Sequence, residues 1–202
     1  MNTTYLLTQL GFAATTIIYF WLFLRQLHKS LNATDFPEER KKRILRGTTL
    51  ALIGWAVLTA ILSLSGFLSD FSSFPPNIMI VLIVPLTAII WMVSTKTTKE
   101  ILLHTPAETI IGLQSFRVFV EILLWMLFVA NLAPIQMTFE GRNLDILSGI
   151  TAPLIAFLIS RKKISKPITI LWNIACLGLL ANIVITAILS MPTPFRVFMN
   201  DP

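Results

Sequence analysis

Two ionisable side chains, Arg117 and Glu121, stand inside a long apolar stretch of the chain. They follow Gln114 by three and seven residues, so in an α-helix all three side chains lie on one face, which Trp125 continues. Charged groups are costly to bury in apolar surroundings unless they are paired, and they often serve to bind a ligand, an ion or a proton. Two hypotheses follow: a binding site, or a buried Arg117–Glu121 ion pair that fixes the helix register.

A second polar group lies in residues 133–146, between two apolar stretches. Four of the six positions from 140 to 145 are polar or charged: Glu140, Arg142, Asn143 and Asp145. Gly141 permits a tight turn there. Asn143 is suited to cap the following helix, with Asp145 favourable near its N-terminal dipole. The alternative is a polar lid over a cavity whose floor is the polar face described above.

The last apolar stretch contributes Asn173, Asn182 and Thr186. Asn182 and Thr186 are four residues apart and share a helix face. Polar side chains of this kind commonly form hydrogen bonds between packed helices. We include Asn173 and Asn182 among the candidate ligand-binding residues, with helix packing as the alternative. Cys176, the single cysteine, is expected to be a small buried apolar residue.

Several chemistries are excluded by the residues that the chain lacks. It has no G-x-S-x-G, H-E-x-x-H, Walker or dinucleotide-binding motif. Haem ligation inside a bundle needs histidine, and the two histidines, His28 and His104, lie in polar segments outside the apolar stretches. We therefore predict no catalytic residue, no metal site and no cofactor.

The composition indicates an integral membrane protein. Of the 202 residues 55% are hydrophobic and 13% are charged, with a mean hydropathy of +0.77, whereas a soluble domain carries about 25% charged residues. This excludes an ordinary soluble domain and a nucleic-acid-binding domain. One cysteine also excludes a disulfide framework.

The apolar stretches predict an all-α fold, a polytopic bundle forming a single transmembrane domain over residues 1–202. A spanning helix needs about 20 apolar residues. Six stretches approach this length, at about 5–24, 47–69, 76–95, 106–132, 145–160 and 167–190. Thr105 and Glu108 form a capping box around Pro106 and predict that the fourth helix starts there.

The basic residues predict the orientation of the bundle. Seven lie in the basic loop 25–46, two in the loop after the third span and four after the fifth, together thirteen of 16. Positive residues collect in cytoplasmic loops, so both termini face outside, in a multi-pass protein of the bacterial inner membrane. The loop 25–46 is expected to contact anionic lipid headgroups, whereas 133–146 is an outer loop.

Part of the chain resembles an uncharacterised family of bacterial multipass membrane proteins, over roughly residues 70–200. The residues that carry the resemblance are Pro75-Pro76, Leu113-Gln114-x-Phe116-Arg117-x-x-Val120-Glu121, Met137-Thr138-Phe139-Glu140-Gly141-Arg142-Asn143-x-Asp145, Thr151-Ala152-Pro153 and Leu171-Trp172-Asn173. The resemblance implies a multipass membrane fold, and no activity. A seventh helix after Pro202 would place the C-terminus inside.

We expect a protein that binds or transports a small polar molecule or ion. The ligand would enter from outside; Arg117 would hold an anionic group, and Glu121 would accept a proton or balance the arginine. One alternative is a membrane-embedded enzyme acting on a lipid or isoprenoid at the outer leaflet, with Glu140 and Asp145 as its carboxylates. Another is a structural subunit of a membrane complex.

Overall fold

The computed structural model describes residues 3–200. Over that range the chain forms eight α-helices and no strand, so the predicted all-α fold is confirmed. The helices are α1 Thr3–Asn32, α2 Glu38–Leu64, α3 Met79–Ser94, α4 Lys96–Leu103, α5 Ala107–Leu113, α6 Phe116–Val129, α7 Ile146–Ser160 and α8 Lys166–Ser190. Single 3₁₀ turns lie in two connections, at Phe67–Ser69 and Ile135–Met137.

Four helices in the described range are long and apolar enough to cross a membrane. They are α1, α2, α8, and α5 together with α6. Helices α3 and α4 reach the required length only as a pair, and the pair is bent by 75°. Helix α7 is about 22 Å long at 1.5 Å per residue, short of a bilayer core of roughly 30 Å. The membrane-spanning character is thus supported for four helices, and the predicted number of six is not confirmed.

The distribution of buried residues is the reverse of that in a soluble protein. Among the described residues ten polar or charged side chains are buried, against five apolar ones. Large apolar side chains are instead exposed along α2 and α8, for example Leu50, Leu171 and Leu177. Helices that face hydrocarbon expose apolar side chains and direct their polar side chains at one another, so this pattern is compatible with a membrane protein.

The chain divides into two compact units. The first unit comprises the residues up to Leu22 and those from Ala107 onward, and the second comprises Phe23–Pro106. In the first unit α7 packs along both α5 and α6. The second unit contains α2, α3, α4 and the last part of α1. Every candidate site residue named from the sequence lies in the first unit.

Local sequence explains where several helices begin and end. Helix α2 starts immediately after Pro37, with Glu38 and Glu39 in its first turn, where acidic side chains interact favourably with the helix dipole. Helix α6 ends at Val129. Just beyond it Asn131 has a positive φ of 56°, and the amide of Leu132 donates back to the carbonyl of Leu127 over 2.8 Å. This left-handed C-terminal cap turns the chain into the predicted outer loop.

Candidate functional site

The side chain of Arg117 on α6 forms an ion pair with Asp145, the residue before α7. Arg117 Nη1 donates to Asp145 Oδ1, and Ser148 Oγ donates to the same oxygen over 3.1 Å. The two charged side chains are 13% and 7% exposed. Two partners on Asp145 Oδ1 therefore compensate the removal of its carboxylate from water.

The buried Arg117–Glu121 ion pair, one of the two hypotheses for this helix face, is not formed among the described residues. Among the described residues the ion pair of Arg117 is with Asp145, and Glu121 has no cation within 4 Å. Residues four apart on a helix are near one another, but their spacing says nothing about competing partners. The loop between α6 and α7 folds back, so that Asp145 lies beside α6 and its buried carboxylate pairs with the guanidinium of Arg117.

Glu121 is hydrogen-bonded to Asn143 from the loop 133–146, the predicted outer loop. Asn143 Nδ2 donates to Glu121 Oε2 over 2.6 Å and to the carbonyl of Met137 over 3.1 Å. Its Oδ1 accepts from the backbone N–H of Asp145 over 3.1 Å. Glu121 is 3% exposed and Asn143 0% exposed. Both kinds of polar atom in the Asn143 amide are thus satisfied, and the side chain ties the loop to α6.

The predicted capping role of Asn143 is seen at the turn that leads into α7, where its side chain accepts from the amide of Asp145. The residue before the first turn of α7 is Asp145, and its side chain makes no capping hydrogen bond. The hydrogen bond of Asn143 with the amide two residues later forms an Asx turn. Asn143 thus satisfies one amide at the start of α7 with its Oδ1 while its Nδ2 donates to Glu121, and the carboxylate of Asp145 pairs with Arg117.

Five side chains therefore form one buried polar cluster: Arg117, Glu121, Asn143, Asp145 and Ser148. The two polar groups that the sequence places in separate segments meet in it through the Arg117–Asp145 and Glu121–Asn143 contacts. When its ionisable groups are charged, the cluster holds one cation and two carboxylates. Arg117 Nε is buried and has no hydrogen-bond partner among the described residues.

Gln114 lies apart from this cluster, at an interruption between α5 and α6. Gln114 and Ser115 form a turn there, with hydrogen bonds of the i→i−3 type, for example from Val118 N to Ser115 O. Gln114 Nε2 donates to Asn173 Oδ1 on α8 over 3.3 Å, and Ser115 Oγ lies 3.1 Å from the hydroxyl of Tyr19 on α1. A 3₁₀ turn within a helix commonly marks strain or a hinge.

Within residues 3–200, polar residues of α8 and α1 contact the turn at Gln114 and Ser115, and not the two charged residues of α6. Asn173 contacts Gln114, and Tyr19 contacts Ser115. The partners of the two charged residues come from the outer loop and the start of α7, since that segment folds back over α6.

The remaining candidates hold the outer loop from other directions. Glu140 Oε1 accepts from Trp125 Nε1 over 2.9 Å. Asn182 Nδ2 donates to the carbonyl of Arg142 over 2.7 Å, and the Arg142 guanidinium lies 5.2 Å from the ring centroid of Phe198. Glu140 and Asp145, the carboxylates of the enzyme hypothesis, thus have separate partners.

Ser148 and Gly149 are site residues that the sequence reasoning missed. Ser148 follows Asp145 by three residues, a spacing that places it beside that carboxylate once α7 forms. A Cβ atom on Gly149 would lie 2.7 Å from Val118 N and 3.1 Å from Arg117 Cβ. The missing side chain therefore lets α7 approach α6 closely at the ion pair. A glycine inside an apolar stretch was the available signal.

The described residues include no group of three His, Cys, Asp or Glu side chains arranged to hold a metal ion. No protein-family model matches the chain, and no curated protein and no solved structure matches it.

Proposed function

We propose that the protein is a multi-pass protein of the bacterial inner membrane that binds or transports a small cation, a proton included, at Glu121. The observation that carries the proposal is the pairing in the buried cluster. Arg117 is neutralised by Asp145, which leaves the buried carboxylate of Glu121 with an amide as its hydrogen-bond partner. A carboxylate in low-dielectric surroundings is stabilised by a proton or by a cation.

The same pairing changes the chemical class of the ligand from our first expectation. An anionic ligand at Arg117 would have to displace the carboxylate of Asp145, which also accepts from Ser148. A cation at Glu121 displaces no ionic partner. The Arg117–Asp145 ion pair has no net charge and keeps a fixed position beside Glu121. Asn143 orients one of the two carboxylate oxygens of Glu121.

The proposed topology has six passes, with both termini outside. Helix α3 and the short helix α7 are the additional spans, α7 being shielded along α5 and α6. This orientation is supported by the thirteen basic residues in segment 25–46 and in the loops after the third and fifth spans, because basic residues collect in cytoplasmic loops. The basic segment 25–46, most of which is helical in α1 and α2, would then contact anionic lipid headgroups.

Purified protein in liposomes tests the cation proposal. We expect cation or proton flux down an imposed gradient, read from an enclosed pH- or sodium-sensitive dye. Glu121→Gln keeps the size of the side chain and one oxygen that can accept from Asn143 but removes the charge, and it should abolish the flux. Glu140→Gln is the matched control, because Glu140 is exposed and bonded to Trp125, and it should keep the flux.

A second measurement detects binding without transport. A cation that binds only the folded protein raises its stability, by about 2.7 kcal/mol at a concentration of 100 Kd. If the ligand is sodium, the unfolding temperature should be higher in sodium than in choline at equal ionic strength. If it is a proton, the unfolding temperature should rise as the proton concentration rises. Glu121→Gln should lose this rise. A folded Glu121→Gln variant that retains both flux and cation-dependent stabilisation would exclude Glu121 as the site.

A further inference from the structure

The axes of α3 and α4 are bent relative to each other by 75°. The bend is at Thr95, which has an extended backbone conformation and is the N-cap residue of α4. Thr95 Oγ1 accepts a hydrogen bond from the amide of Thr98 over 3.2 Å. If α3 crosses the bilayer near its normal, as in the proposed topology, α4 lies close to the membrane plane. Its eight residues are too few to cross a bilayer core.

The exposed side chains of α4 combine positive charge and apolar surface. Lys96, Lys99 and Leu103 are spaced by three and seven residues and share one face, and all three are exposed. Leu103 is 81% exposed and Leu102 is 45% exposed. Lysines beside exposed leucines on a short helix are typical of helices at the headgroup boundary, where the leucines enter the acyl region and the lysines reach the phosphates.

The opposite side of α4 is anchored within the second unit. Thr97 Oγ1 accepts from Arg40 Nη2 over 2.9 Å, which ties α4 to the start of α2. Just beyond α4, Thr105 Oγ1 donates to Ser30 Oγ on α1 over 2.8 Å. These contacts fix which face of α4 is turned away from the unit.

Among the described residues, the two lysines of α4 are not paired with a carboxylate, unlike two lysines at the start of α2. Lys41 pairs with Glu38 and Lys42 lies 4.0 Å from Glu39. In the range that the structure describes, Lys96, Lys99 and Arg43 have no carboxylate within that distance and are exposed. An excess of positive charge next to exposed leucines complements an anionic lipid surface. A nucleic acid could bind the lysines, but it has no apolar region in which the leucines could be buried.

We propose that α4 is an in-plane interfacial helix that binds the headgroups of anionic phospholipids through Lys96 and Lys99, with Leu102 and Leu103 inserted at the acyl boundary. The inference rests on the proposed topology and is independent of the cation site. It extends the lipid contact beyond the basic segment 25–46 to a site with a defined geometry.

The depth of α4 is measured with a single fluorophore on the full chain. In a Cys176→Ser background, Leu103→Cys carries the label, and Leu86→Cys in the middle of α3 is the matched control. Lipids brominated near the headgroup should quench the label at 103 best, and lipids brominated near the chain end should quench the label at 86 best. Deep quenching at 103, or quenching by aqueous iodide alone, would overturn the in-plane placement.

Headgroup selectivity is measured with the same label at 103. Quenching by brominated phosphatidylglycerol is compared with brominated phosphatidylcholine, and their ratio gives the preference for the anionic lipid. Lys96→Gln with Lys99→Gln should reduce this preference by up to about 30-fold at low salt, because each lysine near the surface contributes about 1 kcal/mol and about 1.4 kcal/mol is tenfold.

The control removes two basic residues elsewhere on the same predicted side of the membrane. Arg161→Gln with Lys162→Gln, after α7, should leave the preference at 103 unchanged. An equal loss in both double variants, or none in the α4 variant, would overturn the headgroup site. Impermeant labelling of Lys99→Cys from outside intact cells would refute the topology and leave the lipid measurement to be judged on its own.

Discussion

Replacement of Arg117 by leucine should destabilise the protein strongly. The substitution leaves the Asp145 carboxylate, 7% exposed, with Ser148 as its remaining side-chain partner. Removing one member of a buried ion pair typically costs about 3–5 kcal/mol, because the other charge stays buried. Asp145→Ala should cost a similar amount, since it leaves a guanidinium whose Nε already has no partner among the described residues.

The double variants identify the partner of Arg117. Arg117→Leu with Asp145→Ala removes both charges, and replacing a whole buried pair by apolar residues is often close to neutral. We expect it to be more stable than either single variant by about 2 kcal/mol or more. Arg117→Leu with Glu121→Leu should not recover stability, because it leaves the Asp145 carboxylate without its cation.

Unfolding in detergent, by heat or by titration with a denaturing detergent, measures the four variants against the wild type. The coupling free energy from the double-mutant cycle should be several kcal/mol for Arg117 with Asp145. If the Glu121 double variant recovers stability and the Asp145 double variant does not, the pairing within α6 is the correct one and the cluster described above is wrong.

Three smaller perturbations test the contacts around the cluster. Gly149→Ala should lower the free energy of unfolding by about 1–3 kcal/mol in thermal melts, because its Cβ would press on α6. Gly178→Ala is the control and should leave it unchanged, because its Cβ would meet nothing within 4 Å. Equal effects of the two substitutions would refute the close approach of α7 to α6. Asn143→Ala should cost about 2–3 kcal/mol, since it leaves buried acceptors and a donor unpaired, and it should make the outer loop more sensitive to protease; unchanged cleavage would contradict its anchoring role. Trp125→Phe, which removes the donor to the exposed Glu140, should cost under about 1 kcal/mol, and a larger loss would mean that this hydrogen bond is not peripheral.

The start of α5 and the positions of α7 and α8 were predictable from local sequence, whereas α1 ends well after the predicted span 5–24 and α2 starts well before the predicted span 47–69. The capping box at Thr105 predicts a start at Pro106, and α5 begins at Ala107. The apolar stretches 145–160 and 167–190 correspond to α7 and α8 within one residue. Hydrophobic length, proline and capping residues act within a few positions of one another, so they can be read along the chain.

The interruption of the fourth predicted helix was not predictable in the same way. Residues 106–132 have no proline after Pro106 and read as one continuous helix. The turn at Gln114 and Ser115 accompanies hydrogen bonds to Asn173 and Tyr19. These partners lie 59 and 96 residues away along the chain, and no local pattern contains them.

Composition and periodicity are properties of the chain, so they show without a structure that the protein is helical and apolar and that Arg117, Glu121, Asn143 and Asp145 are unusual. How those residues pair depends on the packing of the folded chain. Helical spacing favours Arg117 with Glu121, but the loop after α6 folds back and Gly149 lets α7 come close. A buried charge takes the counter-ion that packing brings nearest, and this distance is set by the fold of the whole unit.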